Sequence, residues 1–519
     1  MVANILVILQ QSTIDQYVLF SLVALPLFGA LLLIATPSSR TTYAKIIATN
    51  IAFITMILSF YVFVSYDHEI SGFQFNNSWK WLPIPGPWLL GAQGISFSVG
   101  VDGISALMVM LTGLVMFTGT IVSWSITNRL KDYFILYLAL LSGVFGVFIS
   151  LDLFFLFFFY ELAVMPMYLL IAIWGSSSDF GSFIRTKEYG AMKLTLYLVA
   201  GSVLIWIALL AIFVESDLGT FSLIDLQNKG EFSSAFQQIF FPFLMVGFGI
   251  LAGLWPFHTW SPDGHVAAPT SVSMVHAGVL MKLGAYGIIR VGIGLFPDGA
   301  ESWMPVLLVL GTANVIYGAV SAMGQSDLKY VVGYSSVRHM GYVIVGIATL
   351  NHLGVTGSVL QMFSHGIMTA LLFVIVGSIY DRTHTRDIYV LEGLAGRMGT
   401  TTSFFIIGGL TSLGLPGLSG FVSELLVFIG LFQTYPVVGI LSVIGATITA
   451  IYILRLVAKV FFGSQSSEVS KKDDMLRSET FSSLILTFFL FFLGLFPFPF
   501  IEAVDGSIVN ILDLLTSTK

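Results

Sequence analysis

Apolar positions in this chain come in blocks. Runs of about twenty Leu, Ile, Val, Phe, Ala and Gly residues are separated by polar links. A helix needs about 20 apolar residues to cross roughly 30 Å of hydrocarbon. That rule predicts fourteen spans, at 17–35, 44–66, 101–125, 133–149, 151–174, 187–214, 238–260, 266–294, 302–322, 328–350, 355–380, 402–434, 437–462 and 480–502. Two spans are interrupted by proline, one at Pro256 within Gly247–Trp260 and one at Pro416 within Leu413–Glu424. Proline inside a helix removes a hydrogen bond and clashes with the preceding turn. Backbone freed at that depth is tolerated where it is buried in protein or lines a cavity. The breaks at Pro256 and Pro416 fall in spans 7 and 12. An offset of five spans inverts the topology, so spans 4–8 and 9–13 read as inverted copies of a transporter repeat. The expected fold is all-α and polytopic: helices 1–3 over 1–132, a first repeat over 133–294, a second over 295–462, and a loop plus helix 14 over 463–519.

Composition agrees. Of 519 residues 56% are hydrophobic and 10% charged, and the mean hydropathy is +0.93. Soluble domains carry about 25% charged residues, so this is an integral membrane protein surrounded by lipid. A net charge of −6 gives no reason to expect a nucleic-acid partner. The absence of cysteine excludes Cys-ligated iron–sulfur clusters, disulfides and thiol chemistry. No basic segment precedes the first apolar run, and Asp15 follows early, which argues against a cleaved signal peptide. Fourteen of the 22 Lys and Arg fall in loops after odd-numbered spans; three fall in even loops or at the termini. By the positive-inside rule the odd loops are cytoplasmic and both termini face the other side. Trp79, Trp81 and Trp88, with Pro83, Pro85 and Pro87, predict a non-cytoplasmic loop lying along the interface.

A few ionisable groups sit deep inside spans. Charge at the bilayer centre costs roughly 2.5–3.5 kcal/mol on insertion scales and marks ion or proton pathways. Glu161 lies mid-span in an apolar segment. A structural carboxylate would sit near a helix end or beside a fixed Arg. Burial and a nearby cation act on a carboxylate in opposite directions, so its proton affinity can be tuned. Lys282 mirrors it, as a lysine able to exchange its proton when buried. Glu424 follows the second break. His339 and His365 lie within spans and suit a relay, although a lone buried histidine is often only a satisfied polar group. His276, six residues before Lys282, is a weaker candidate. Lys193, nearer the cytoplasmic end of its span, either takes part or snorkels. His258 and His265 near Asp263 invite a metal, but no further ligand clusters with them, and they flank the end of a broken helix. Gly247-x-Gly249 lacks a third glycine and a preceding strand, which leaves helix packing. Neither a cofactor nor a metal is expected.

Several motifs together resemble one family: Gly100-Val-Asp-Gly-Ile-Ser105, Glu161 with Met165-Pro166, Trp255-Pro-Phe-His-Thr-Trp260, Pro262-Asp-Gly-His265, Ala268-Pro-Thr270, Ala277-Gly-Val-Leu-Met-Lys282, Ser335-Ser-x-x-His-Met-Gly341, His384-Thr-Arg-Asp387, and Leu415-Pro-Gly417 with Glu424. They are similar to the antiporter-like membrane subunits of respiratory complex I. The M type, the counterpart of mitochondrial subunit 4, is most alike. The L type differs, because its C-terminus extends into a long lateral helix. The resemblance covers nearly the whole chain. It implies a fourteen-helix core with two inverted five-helix repeats, in a bacterial inner membrane, pumping protons within an NADH:quinone oxidoreductase. It implies no redox cofactor in this chain, drive from the quinone-reducing end, and neighbouring antiporter-like subunits as partners. By matching position it gives proton-path roles to Glu161, Lys282, His339, His365 and Glu424, and matches Lys193 to a lysine opening the sixth helix.

One departure stands out. Relatives place a lysine four residues before the position of Trp255, as partner of the Glu161 carboxylate; here that position is Leu251. Arg338 and His276 also replace smaller or apolar residues and are candidates for compensating charge. Lys193 is the leading substitute partner for Glu161. From the span ends, Glu161 lies roughly 15 Å and Lys193 roughly 9 Å from opposite surfaces at 1.5 Å per residue. In roughly 30 Å of hydrocarbon that is a depth difference a lysine stem bridges. Two rival functions remain: the large subunit of a multi-subunit cation/proton antiporter, and a scaffold subunit that has lost pumping.

Overall fold

The computed structural model describes residues 13–70, 72–82, 94–179, 184–464 and 473–517. The helices are α1 (Thr13–Ala35), α2 (Thr41–Val64), α3 (Gly103–Val122), α4 (Leu130–Ile149), α5 (Leu153–Trp174), α6 (Lys187–Ser216), α7 (Ser234–Ala252), α8 (Trp260–Ala267), α9 (Thr270–Ile293), α10 (Pro297–Met323), α11 (Leu328–Ala348), α12 (His352–Thr383), α13 (Gly399–Ser412), α14 (Ser419–Thr434), α15 (Pro436–Phe461), α16 (Arg477–Leu495) and α17 (Phe498–Ser517). Among the described residues twelve helical segments are long and apolar enough to cross a membrane, the broken α7–α8 pair counting as one. They omit α11, made polar by Lys329, Ser335, Ser336, Arg338 and His339, and the pair α13–α14, which is split in the middle. These two correspond to spans 10 and 12.

Burial sorts the helices. The most apolar stretches of α3, α9 and α12 are wholly buried, whereas those of α2 and α15 are only one-third buried and form the rim. Small residues let the central helices meet. A Cβ on Gly366 of α12 would lie 2.5 Å from the carbonyl oxygen of Gly278 in α9. Glycine at both positions therefore brings Lys282 and His365 within reach of each other.

Two boundaries differ from expectation. The first break starts before Pro256: α7 stops at Ala252, Gly253 takes φ +76° in the left-handed region that favours glycine, and a 3-10 turn Phe257–Thr259 leads into α8. The second half of span 7 thus runs to Ala267, inside the stretch assigned to span 8. Span 14 also ends early. α16 stops at Leu495, and Pro497 precedes a separate helix, α17, so the C-terminal region holds two helices. The second break matches its expected place, with Gly414 at φ +69° and Gly417 at φ +94° flanking Pro416.

The loop expected along the interface contains a β-hairpin, β1 (Gln74–Leu82) paired antiparallel with β2 (Ile95–Val101). Trp79 packs on Phe20 and Phe97, and Trp81 on Phe154 and Phe155. Pro83, Pro85, Pro87, Trp88, Lys471, Lys472 and Lys519 lie outside the described residues. β2 runs into Asp102, which caps α3 through Ser105 and forms a buried ion pair with Arg290 of α9. Both partners are almost wholly buried, Asp102 at 4% and Arg290 at 3% exposure. Removing one partner of a buried pair strands the other charge, at about 3–5 kcal/mol. Asp102→Asn should therefore lower the thermal stability of the detergent-solubilised protein by several degrees, whereas exchanging the exposed Arg129–Asp132 pair should change it little. Melting curves of the two variants check this.

Candidate functional site

A row of buried polar side chains crosses from α9 to α14. Lys282 Nζ lies 2.7 Å from His365 Nδ1 and also donates to the carbonyl of Ala277. The His365 and His339 rings are 5.2 Å apart, centre to centre. His339 Nδ1 is 3.4 Å, and Arg338 Nη2 3.3 Å, from Glu424 Oε1. All five are at most 3% exposed. Local structure explains the assembly. Lys282 and His365 project from the helices that meet at Gly278 and Gly366. Arg338 and His339 are adjacent on α11, which packs on α12 and α14. Glu424 sits in the second turn of α14, where its carboxylate lies over Gly414 of the break.

The breaks are stitched by this same polar set. Arg338 Nη1 donates 3.0 Å to the carbonyl of Ser412, the last residue of α13, and Ser412 Oγ is 3.0 Å from His339 Nε2. A cation at a helix C-terminus meets the negative end of its dipole. Gln361 Nε2 lies 3.0 Å from His339 Nδ1, and Ser423 bonds the Gln361 side-chain oxygen. At the first break Asn314 of α10 donates 2.8 Å to the carbonyl of Gly253 and accepts from the Trp255 N–H.

The expected Glu161–Lys193 contact is absent. Lys193 Nζ lies 2.8 Å from Asp263 Oδ2 on α8, and Arg185 forms an ion pair with the other oxygen of Asp263. Tyr330 OH donates to Asp263 as well, at 2.9 Å. Asp263 is 6% exposed, and a carboxylate so enclosed holds the nearest cations. Glu161 is half-buried and makes no hydrogen bond or ion pair with another described residue. It borders an outward stripe of α5 formed by Phe158, Met165 and Leu169, while its neighbour Tyr160 points inward and donates to the Leu198 carbonyl. Arg338 compensates Glu424, and not Glu161. His276 is fully buried and stacks on Trp260 rather than facing a carboxylate.

The structure therefore brings Lys282, His365, His339, Arg338 and Glu424 into one row and leaves Glu161 and Lys193 in separate places. Sequence reasoning gave Asp263, Lys329 and the Asp102–Arg290 pair no role. Asp263 did have a signal, as an acidic residue two positions before His265 in an apolar stretch.

Residues 150–449 match the family model described as NADH:quinone oxidoreductase/Mrp antiporter, transmembrane. The chain is 35% identical over 486 residues to NAD(P)H-quinone oxidoreductase chain 4 of Gloeobacter violaceus, covering 92% of this chain and 89% of that one. Its fold is similar to a chain of respiratory complex I from Thermus thermophilus with bound NADH, at TM-score 0.85 and 26% identity, covering 96% and 99% of the two chains. A chain of the Mrp complex from Dietzia sp. shares the fold at TM-score 0.83 and 20% identity, covering 97% and 98%.

Proposed function

Because the chain belongs to the NADH:quinone oxidoreductase/Mrp antiporter transmembrane family, we propose that it is a proton-translocating membrane-arm subunit of a complex I-type oxidoreductase. Its partners are the other membrane subunits of that complex, and lipid. The observation that carries the reading is the buried row from Lys282 to Glu424. Four of its five members take up and release protons, and the fifth, Arg338, is a fixed cation. Rows of ionisable groups inside a membrane protein serve ion or proton movement. In this reading electrons move elsewhere in the complex and the chain itself holds no redox cofactor. The two broken helices occupy equivalent places in two inverted repeats, the membrane is a bacterial inner membrane, and both termini lie on its outer side.

Purification of the tagged chain from its native membrane tests the assignment. Quinone-reducing and iron–sulfur subunits should accompany it. Small antiporter subunits without redox partners would replace this reading with the cation/proton antiporter, whose fold is shared.

Glu161 supplies the coupling group in this reading. Its charge is unpaired among the described residues, so it responds to whatever charge a neighbouring subunit places beside it. Glu161→Gln preserves shape and hydrogen bonding, and the complex should assemble with proton pumping per electron sharply reduced. A native ratio in the assembled variant would favour the scaffold reading for this half of the chain.

A further inference from the structure

The Lys/Arg-rich side of the bundle carries a cleft of about 690 Å³. Its wall includes Asn128, Trp174, the elbow residues Ala268 and Pro269 between α8 and α9, Ser271 in the first turn of α9, and Lys329. Lys329 is 4% exposed and reaches under the elbow, donating 2.7 Å to the carbonyl of Ala268. Just beyond the elbow lie two fully buried histidines that the row described above does not use. His265 of α8 and His276 of α9 have ring centres 4.0 Å apart. His265 Nε2 is 3.0 Å from Ser261 Oγ. His265 Nδ1 and both nitrogens of His276 have no partner among the described residues.

Depth places the pair between the cleft and the row. Thr270, His276 and Lys282 follow one another on α9 at six-residue steps, about 9 Å each at 1.5 Å rise. Residues His276–Leu280 form a π-turn, a feature often found at functional sites. The Lys282 side chain points back along α9 to the carbonyl of Ala277, the residue next to His276.

We propose that protons reach Lys282 from the cleft, past Lys329 and the α8–α9 elbow, through the His265–His276 pair. The inference rests on the proton-translocation reading and adds its intake route. Buried polar nitrogens are almost always hydrogen-bonded, to protein or ordered water. Water is small enough to join these nitrogens to one another and to the cleft. An imidazole accepts a proton at one nitrogen and releases one from the other, so each passage returns the ring to its starting composition.

The test uses the complete complex reconstituted in vesicles, with protons pumped per electron and the amount of assembled complex both measured. His276→Leu and His276→Gln should assemble and lower the ratio to the level of Lys282→Ala. Glutamine keeps a hydrogen-bonding side chain but cannot carry a proton, so recovery in His276→Gln would mark a structural role and overturn the route. A native ratio in His276→Leu beside a reduced one in Lys282→Ala would overturn the route alone. A native ratio in Lys282→Ala would overturn the translocation reading with it. If the His276 variants do not assemble, His265→Gln is read against the same two standards.

Discussion

Complex assembled with Lys282→Ala will pump fewer protons per electron than native complex, and no single substitution that leaves assembly intact will lose more. Lys282 is wholly buried and bonded to His365 at 2.7 Å. Its removal separates the α9 side of the row from the α12 side. Lys282→Arg distinguishes two roles for the charge. Arginine stays protonated in proteins, so it preserves a positive charge against the Ala277 carbonyl but releases no proton. Partial recovery is expected, through the field of the charge on its neighbours. Full recovery would make Lys282 a fixed electrostatic element and remove it from the relay. Proton uptake and quinone reduction followed together in vesicles give the ratio directly.

Glu424→Gln has the second large effect, and its first consequence is structural. Arg338 is fully buried, and Glu424 is the carboxylate beside it. Without it a permanent cation is left in a low-dielectric interior, which costs about 3–5 kcal/mol. The amount of assembled complex should therefore fall on a native gel. Replacing both partners with uncharged residues of similar volume is often neutral or stabilising. Glu424→Gln with Arg338→Met should accordingly restore assembly while the pumping ratio stays low. Normal assembly of Glu424→Gln alone would show that Arg338 draws its compensation from the Ser412 carbonyl and the α13 dipole. Recovery of pumping in the double variant would remove Glu424 from the proton path.

Hydrophobic blocks were enough to place most helices, because a lipid-crossing helix is defined by length and apolarity within its own segment. The boundaries that slipped have local causes that composition hides. Gly253 ended α7 three residues before Pro256, since a left-handed residue stops a helix as surely as a proline. At Leu495 the apolar run continued through Pro497 into α17, so hydropathy registered no break. Within the site, Lys282, His339, His365 and Glu424 stood out because an ionisable group in an apolar run is conspicuous in one dimension. Their pairing was not legible. Depth arithmetic put Lys193 level with Glu161, but it carries no information on rotation about the helix axis. Asp263 captured Lys193 from a helix half whose limits the span pattern had misplaced.

The 2.7 Å contact between Lys282 and His365 sets a capacity. Two positive charges at that separation repel by about 6 kcal/mol at an effective dielectric constant of 20. The neighbouring Arg338 and Glu424 cancel, so the remaining net charge of the row equals the number of transferable protons it holds. A second proton arriving while the first remains at this contact meets that repulsion. In the proposed proton relay, loading and discharge would therefore alternate, as in a single-occupancy lock, with the filling of one end supplying the push that empties the other.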